Sequence, residues 1–172
     1  MAWWRDVLGI NRRNMDFVFD DPRPGRFRDL DDKLRGKRRL EAGGVAVPTT
    51  VAVIEGSQDM ARLHDSLADR DELVLKPARG SGGRGILVLE RDGDAWVTPG
   101  GRRLTPAQIQ DHVIDVLSGT FSLDESADTV VVEERIHAHP FLRDLYPRGL
   151  SDLRVVVEDG EPVQAMLRVP TD

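Results

Sequence analysis

A glycine-rich segment that follows a lysine is the strongest chemical signal in the chain. Because glycine has no side chain, successive backbone N–H groups in such a segment can converge on one anion. A lysine at the end of the preceding strand can bring its ammonium group to the same anion. The segment therefore predicts a phosphate-binding hairpin. Its candidate binding residues are Lys76, Gly80, Ser81, Gly82, Gly83, Arg84 and Gly85.

Other phosphate-binding loops fit this segment less well. Three of its glycines match a dinucleotide-binding pattern, but that pattern requires a helix directly after the loop, and residues 86–89 have the character of a strand. A Walker A loop needs Lys and then Ser or Thr where Ile86 and Leu87 stand. A protein-kinase loop has its lysine on the following strand. A hairpin preceded by its lysine remains, with a plain flexible turn as the alternative.

The lysines of the chain are few and clustered. Of 24 basic residues only three are lysines, and they are Lys33, Lys37 and Lys76. Lys33 and Lys37 are four residues apart, so they project from the same face of a helix. Two ammonium groups on one face predict a second local anion site. The alternative is a solvated helix whose lysines pair with carboxylates one turn away.

Composition excludes several function classes. A net charge of −6 argues against nucleic acid as the main partner, because broad phosphate contact needs a basic excess. The chain has no cysteine, which excludes a disulfide framework, a thiolate metal site and a cysteine nucleophile. No apolar run reaches the length of a signal peptide or a membrane span. We therefore expect a cytoplasmic protein without a membrane partner.

Hydrophobic periodicity predicts a mixture of helices and strands. A helix over residues 32–42 begins at an aspartate cap, a second begins at Ser57, and a third follows a capping box at Thr105 with Pro106 at its first position. Strands are predicted over residues 49–54, 73–75, 86–89, 130–132, 153–157 and 162–168.

The order of these motifs resembles the ATP-grasp superfamily. The resemblance rests on Asp32-Lys33-Leu34 with Lys37, Val74-Leu75-Lys76-Pro77 before the glycines, Val132-Glu133-Glu134, Ser151-Asp152-Leu153-Arg154-Val155 and Met166-Leu167-Arg168. More narrowly, the chain resembles the alpha-L-glutamate ligase-like, sugar-transfer-associated ATP-grasp group, whose start also carries a stretch like residues 8–14. The resemblance implies an α+β ATP-grasp fold with antiparallel sheets and flanking helices. It implies a lead-in over residues 1–28, a complete N-terminal lobe over 29–128 and an incomplete C-terminal lobe over 129–172.

The resemblance also assigns roles to individual residues. Lys33 and Lys76 would contact the phosphates of ATP, while the segment 80–85 closes over them. Glu133 and Glu134 would form the hinge between the lobes, where their backbone meets adenine and a carboxylate meets the ribose. Arg154 and Arg168 would act catalytically by facing the transferred phosphoryl group, because guanidinium groups stabilise spreading negative charge.

The implied reaction is that of a ligase that activates a small-molecule carboxylate as an acyl phosphate for attack by an amine. ATP and Mg²⁺ are the implied cofactors, with the metal ligands expected beyond residue 172, in a missing C-terminal lobe or a partner chain that supplies it. Within the chain, Asp152 is interpreted as a partner of Arg154, and Asp172 is weakly placed for a metal. His137 and His139 are expected to alternate on one strand face.

Two other functions remain open at this point. A chain that lacks its metal-binding strand would be a non-catalytic nucleotide-binding or regulatory module. An NAD- or flavin-binding oxidoreductase would require a helix after Gly85.

Overall fold

The structure is a computed structural model and describes residues 7–19, 31–122, 126–146 and 149–170. The chain divides into two compact units, residues 1–45 and 46–172. Part of the predicted lead-in lies outside the described residues, and so does Asp172. The lobe boundaries expected after residues 28 and 128 stay predictions.

The first unit is helical where the structure describes it. Helix α1 spans Ile10–Asn14 and continues as a π-helical turn over Met15–Phe19, and helix α2 spans Lys33–Ala42. Helix α2 begins where predicted because the carboxylate of Asp32 accepts hydrogen bonds from the N–H groups of Leu34 and Arg35, both at 3.0 Å. It ends at Gly43, so this predicted helix is confirmed.

The second unit contains a sheet of six strands in the order β1-β6-β2-β3-β4-β5. Every neighbouring pair in this sheet is antiparallel. The strands are β1 Thr50–Ile54, β2 Glu72–Pro77, β3 Leu87–Asp92, β4 Ala95–Val97, β5 Arg103–Leu104 and β6 Val130–Glu133. Strands β2 and β3 pair on either side of the glycines, which confirms the predicted hairpin.

Two helices contribute to the core of this unit. Helix α3 spans Met60–Asp69 after a short 3₁₀ turn over Ser57–Asp59, and helix α4 spans Pro106–Leu117. The predicted capping box at the start of α4 is present, with Thr105 and Gln108 bonded reciprocally. Both helices place apolar side chains in one core with the sheet: Leu63, Leu67, Ile109, Val113 and Val116 from the helices meet Ile54, Leu73, Leu75, Leu89, Val130 and Val132 from the strands.

Strand β2 separates this core from the opposite face of the sheet. Successive side chains of a strand point to opposite faces, and Leu73, Leu75 and Pro77 are buried whereas Glu72, Val74 and Lys76 are half-buried. The core residues of β2 lie with α3 and α4 in one cluster. The other face, which we call the Lys76 face, carries the polar half of the strand.

The last part of the second unit forms a separate two-stranded sheet. Helix α5 spans Pro140–Leu145, and strands β7 Asp152–Glu158 and β8 Glu161–Arg168 pair antiparallel around the turn at Asp159–Gly160. All residues of β7 and β8 are exposed. The predicted strand pair is confirmed, and with it the α+β class with antiparallel sheets.

Candidate functional site

Lys76 is held on its face of the sheet by a buried carboxylate. Its Nζ lies 2.5 Å from Oε2 of Glu133, and the two side chains are 22% and 3% exposed. The pairing of β2 with β6 sets Val74 opposite Glu133 and Lys76 opposite Val131, so all four side chains share one face. An ion pair in such partly desolvated surroundings is stronger than one in water. The pair therefore fixes where the ammonium group is presented.

Three valines lie on the same face of the sheet as this ion pair. Val74 lies directly opposite Val88 in the β2–β3 pair, and Val131 lies directly opposite Lys76 in the β2–β6 pair. Val74 and Val88 are half-buried. An apolar surface that ends at a cation fits a flat heteroaromatic base joined to a polyanion. The sequence prediction did not include Val88 or Val131 among the site residues, because only the register of β3 and β6 with β2 places them on this face.

The glycine loop, residues 78–86, joins β2 to β3. At its start, the N–H of Ala78 donates to the carbonyl of Thr129 at 2.8 Å, and the N–H of Arg79 donates to both carboxylate oxygens of Asp128 at 3.1 and 3.0 Å. At the tip, residues 81–84, Gly82, Gly83 and Arg84 are exposed. Within the described residues, nothing accepts a hydrogen bond from the N–H of Gly82 or Gly83. The tip thus presents backbone donors to an incoming anion.

The position of Gly85, at the end of the loop, can be occupied only by glycine without strain. Its φ is +74°, and a Cβ at this position would lie 2.7 Å from Cγ of Phe121. Its carbonyl lies 3.0 Å from Nε2 of His112, whose ring is 5.5 Å from that of Phe121. Gly83 also has a positive φ of +78°, but no atom lies within 4 Å of its hypothetical Cβ.

Replacing Gly85 by alanine is therefore expected to destabilise the chain more than replacing Gly83. Both substitutions add a left-handed backbone cost of roughly 1–2 kcal/mol. Only Gly85→Ala also forces the Phe121 ring to move, which adds about 1–3 kcal/mol. Urea unfolding of the two variants measures the difference. Equal unfolding free energies would contradict the close approach of Phe121.

The segment after Gly85 distinguishes between the loop types. Strand β3 begins at Leu87, directly after the loop. A dinucleotide-binding loop needs a helix N-terminus at this position to face the pyrophosphate. The structure therefore gives no support to the NAD- or flavin-binding alternative.

Glu133 and Glu134 point to different partners. The Glu133 carboxylate contacts Lys76, as described above. The Glu134 backbone N–H donates to the carbonyl of Thr49 at 3.0 Å, and its carboxylate accepts from Arg70 at 2.9 Å. The pKa of the Glu134 carboxyl is held below its ordinary value first by a separate, side-chain hydrogen bond with Thr49 and then by the one from Arg70. The contacts predicted for both residues with adenine and ribose stay predictions.

Charged side chains attach the segment after β6 to the Lys76 face through a row of ion pairs and hydrogen bonds. We call residues 134–139 the connector. Nη1 of Arg135 lies 2.8 Å from Oε1 of Glu72 and 2.9 Å from Oε2 of Glu90, which are opposite each other on β2 and β3. Nε2 of His137 lies 2.7 Å from the other oxygen of Glu72. The sequence prediction missed this row, because Arg135 and His137 are 45 to 65 positions away from the glutamates that they contact.

The expectation that His137 and His139 alternate on one strand face was wrong. The connector is not a strand. Nδ1 of His139 accepts a hydrogen bond from the N–H of Phe141 at 3.3 Å and caps helix α5, whereas His137 contacts Glu72. Pro140 at the first helical position explains the difference, because proline there favours the start of a helix.

The two arginines predicted to be catalytic lie on one face of the β7–β8 sheet. Asp152 pairs directly with Arg168 across the strands, and Arg154 pairs with Met166 two residues along. Arg168 donates to Asp152 from Nε at 3.1 and 3.0 Å and from Nη2 at 2.6 Å. The expected partnership of Asp152 with Arg154 is therefore corrected: the bidentate partner of Asp152 is Arg168, because that residue stands opposite it.

The Arg168 contact predicts a measurable titration. The hydrogen bonds from Arg168 hold the pKa of the Asp152 carboxyl below its ordinary value. A carboxyl pKa that is lower in the folded chain than in the unfolded chain stabilises the fold at pH values above the ordinary pKa. This stabilisation is lost as the pH falls through the lowered pKa. Arg168→Gln is expected to raise the pKa of Asp152, as followed by carboxyl carbon NMR. Arg143→Gln on helix α5 is the control, and an unchanged Asp152 titration in Arg168→Gln would contradict the contact.

A comparison with protein families found a match that covers most of the chain. A family model described as sugar-transfer associated ATP-grasp matches residues 12–172. The chain belongs to the sugar-transfer associated ATP-grasp family. The predicted resemblance and fold are thereby confirmed. Searches among curated proteins and among solved structures found no match.

Membership of the sugar-transfer associated ATP-grasp family supports an ATP-dependent, ligase-like function in general terms. It also supports ATP and nucleotide binding, and ATP-grasp domains generally bind ATP with Mg²⁺. In the described part of the chain, no group of three or more His, Asp or Glu side chains could hold a metal ion. None of the helices described has both the length and the apolar character needed to cross a membrane.

The two lysines of α2 belong to the first unit of this ATP-grasp chain. Lys33 is half-buried, and Lys37 is buried at 7% exposure on the same side of the helix as Leu34. The sequence pattern placed both ammonium groups on one helix face as an anion site, with a solvated helix as the alternative. The burial of Lys37 does not fit that alternative. Their convergence with Lys76 on one polyanion stays a prediction.

Proposed function

We propose that this ATP-grasp protein binds ATP and acts as a ligase that activates a carboxylate as an acyl phosphate for attack by an amine. The observation that carries the proposal is the position of Lys76. This residue lies at the end of β2 against Glu133, directly before a loop whose tip exposes backbone N–H groups. An ammonium group and converging amide donors are the groups that bind phosphate oxygens.

The apolar part of the Lys76 face suggests how the nucleotide is oriented. In the proposed complex, the adenine ring packs against Val74 and Val88. Its phosphates then extend toward Lys76 and the loop tip. The ammonium group of Lys76 carries three donors, so it can keep its contact with Glu133 and still donate to a phosphate. Glu133 would thus orient the lysine without releasing it.

The proposed chemistry needs little covalent participation from the protein. A carboxylate oxygen of the substrate attacks the γ-phosphorus of ATP, the bond to the bridging oxygen breaks, and ADP leaves. The amine then attacks the acyl carbon and inorganic phosphate leaves. Positioning and charge neutralisation dominate the catalysis of such transfers. We assign these roles to Lys76, the loop tip and the pair Arg154 and Arg168.

Mg²⁺ would neutralise the phosphate charge that develops in this reaction when the ion is bound. Mg²⁺ is commonly held by one or two carboxylates together with phosphate oxygens. We propose that these carboxylates come from a further part of the second lobe or from a partner chain.

The β7–β8 sheet is a second argument for a further part of the second lobe or a partner chain. A two-stranded sheet is marginally stable alone in water. Leu153, Val155 and Val157 line one face of β7 and are 71%, 51% and 57% exposed. Additional protein over this apolar face would stabilise the sheet and hold Arg154 and Arg168 in place.

Calorimetric titration of the chain with ATP, ADP and NAD, with and without Mg²⁺, tests the nucleotide assignment. We expect binding of ATP and ADP that Mg²⁺ changes, and far weaker binding of NAD. NAD binding tighter than ATP binding would overturn the proposal, and so would failure of ATP to bind.

A non-catalytic nucleotide-binding module is the second candidate. It is favoured by one observation, namely that the described residues contain no group of three metal-ligating side chains. Turnover distinguishes the two candidates. In the presence of a panel of carboxylates and hydroxylamine, a ligase releases ADP and forms hydroxamates from trapped acyl phosphates. A chain that binds ATP but releases no ADP with any acid would be a binding module.

A further inference from the structure

We infer that Asp128 is a positioning residue for the glycine loop, and that it restricts the closing movement over phosphates to residues 81–84. The inference rests on the proposed function for its nucleotide contact. Its structural part, the fixing of the loop start, can be tested without any nucleotide.

Asp128 is a buried carboxylate whose hydrogen bonds are made with backbone N–H groups. The residue is 5% exposed. Its Oδ1 accepts from the N–H of Arg79 at 3.1 Å and from the N–H of Thr129 at 2.7 Å, and its Oδ2 accepts from the N–H of Arg79 at 3.0 Å. Hydrogen bonds to an ionised acceptor are among the strong ones. The backbone of Arg79 is therefore held in place by a carboxylate that lies 49 residues further along the sequence.

The chain before Asp128 also contributes to this attachment. Gly80 forms an isolated bridge with Ser122. The hydroxyl oxygen of Ser122 lies 2.9 and 2.8 Å from the carbonyl oxygens of Gly119 and Ser126, and its hydrogen can be donated to either. The guanidinium of Arg79 contacts the hydroxyl of Ser126 at 3.3 Å. The start of the loop is thus joined to the segment between α4 and β6 by several bonds.

The end of the loop is attached to the same part of the chain. The carbonyl of Gly85 contacts His112 on α4, and Phe121 fills the space beside its Cα. Between these two attachments, the only hydrogen bond that residues 81–84 donate within the described chain is the one from the Arg84 N–H to the carbonyl of Ser81, at 3.1 Å. Movement of the loop is accordingly concentrated in its tip.

Loss of Asp128 has a selective consequence for ligands. The loop tip faces phosphates in the proposed complex, whereas Val74 and Val88 face the base. A displaced loop start removes the phosphate contacts and leaves the adenine surface intact. ATP affinity then falls while adenosine affinity does not, a difference that general unfolding of the chain would not produce.

The nucleotide arm of the test measures dissociation constants of Mg-ATP and of adenosine by calorimetry. We expect Asp128→Ala to raise the Kd of Mg-ATP about tenfold, equivalent to about 1.4 kcal/mol, with less than a twofold change for adenosine. Asp128→Asn keeps one acceptor oxygen and is expected to fall between wild type and Asp128→Ala. The exposed Asp115→Ala on α4 is the matched control. Unchanged Mg-ATP affinity in Asp128→Ala would overturn the inference, as would an equal loss for both ligands.

The second arm uses the chain without nucleotide. Trypsin cleaves after arginine, and mass spectrometry resolves cleavage after Arg79 from cleavage after Arg84. We expect Asp128→Ala to accelerate cleavage after Arg79 severalfold while cleavage after Arg84 at the exposed tip stays unchanged. An unchanged rate after Arg79 would refute the attachment. If Asp128→Ala does not fold, Asp128→Asn decides, and behaviour identical to wild type in both arms would reject the inference.

The two arms separate failure of the inference from failure of the proposed function. If wild type does not bind ATP, the proposed function fails, and the proteolysis still decides whether Asp128 fixes the loop. If wild type binds ATP and the proteolysis after Arg79 does not respond, only the role of Asp128 fails.

Discussion

Lys76→Ala is expected to abolish the stabilisation that Mg-ATP gives the chain in a thermal-shift assay. The substitution removes an ammonium group at the head of the glycine loop, and it leaves the buried Glu133 carboxylate without this partner on the face where phosphates are proposed to bind. Attraction is lost and repulsion is gained. A ligand at 100 times its Kd stabilises a folded protein by about 2.7 kcal/mol, so the loss of binding is measurable as a vanished shift.

Each variant serves as its own reference in this experiment. The quantity compared is the Tm with Mg-ATP minus the Tm without it, so that any instability from the lost contact between Lys76 and Glu133 cancels. Arg102→Ala removes a cation from the turn before β5 and is expected to keep the full shift. The variant with both Lys76→Ala and Glu133→Gln should regain stability without regaining the shift. Equal shifts in Lys76→Ala and Arg102→Ala would count against the nucleotide site.

Leu75→Ala is expected to lower the free energy of unfolding by about 2–5 kcal/mol, as for other large-to-small changes in cores. Leu75 is fully buried, at 0% exposure, and it lies on β2 directly before Lys76, with its side chain in the core. The substitution leaves a cavity between the sheet and its helices. Urea unfolding followed by tryptophan fluorescence gives the value, and Trp96 in the same core reports on it.

The matched control for this prediction is Ile114→Ala on helix α4. Ile114 is 48% exposed, and exposed substitutions are usually neutral within about 0.5 kcal/mol. Unfolding midpoints that are equal in the two variants would show that the side chain of Leu75 does not lie in the core described here.

Local features of the fold could be predicted from sequence because their causes lie within a few residues. The capping box at Thr105 satisfies two backbone donors with side chains three positions apart. The glycine hairpin follows from a run of glycines between two short apolar strands, and Asp32 caps α2 for an equally local reason. These elements were predicted with the correct type.

Contacts across the sheet could not be predicted in this way. Asp128 accepts a hydrogen bond from the N–H of Arg79, and Arg135 forms an ion pair with Glu72. Both contacts exist only because the register of β2 with its neighbours brings distant residues together. No spacing in the sequence encodes that register. The spacing of two residues between His137 and His139 also misled the prediction. The same spacing occurs in an extended connector before a helix that begins at a proline.

The charge row on the Lys76 face contains a redundancy. One guanidinium, that of Arg135, contacts carboxylates on two adjacent strands. If either Glu72 or Glu90 were neutralised, the other would still hold Arg135 through a charged contact. Arg135 therefore keeps one charged contact with the sheet after a single substitution at either position, and it loses both contacts only when both acids are replaced.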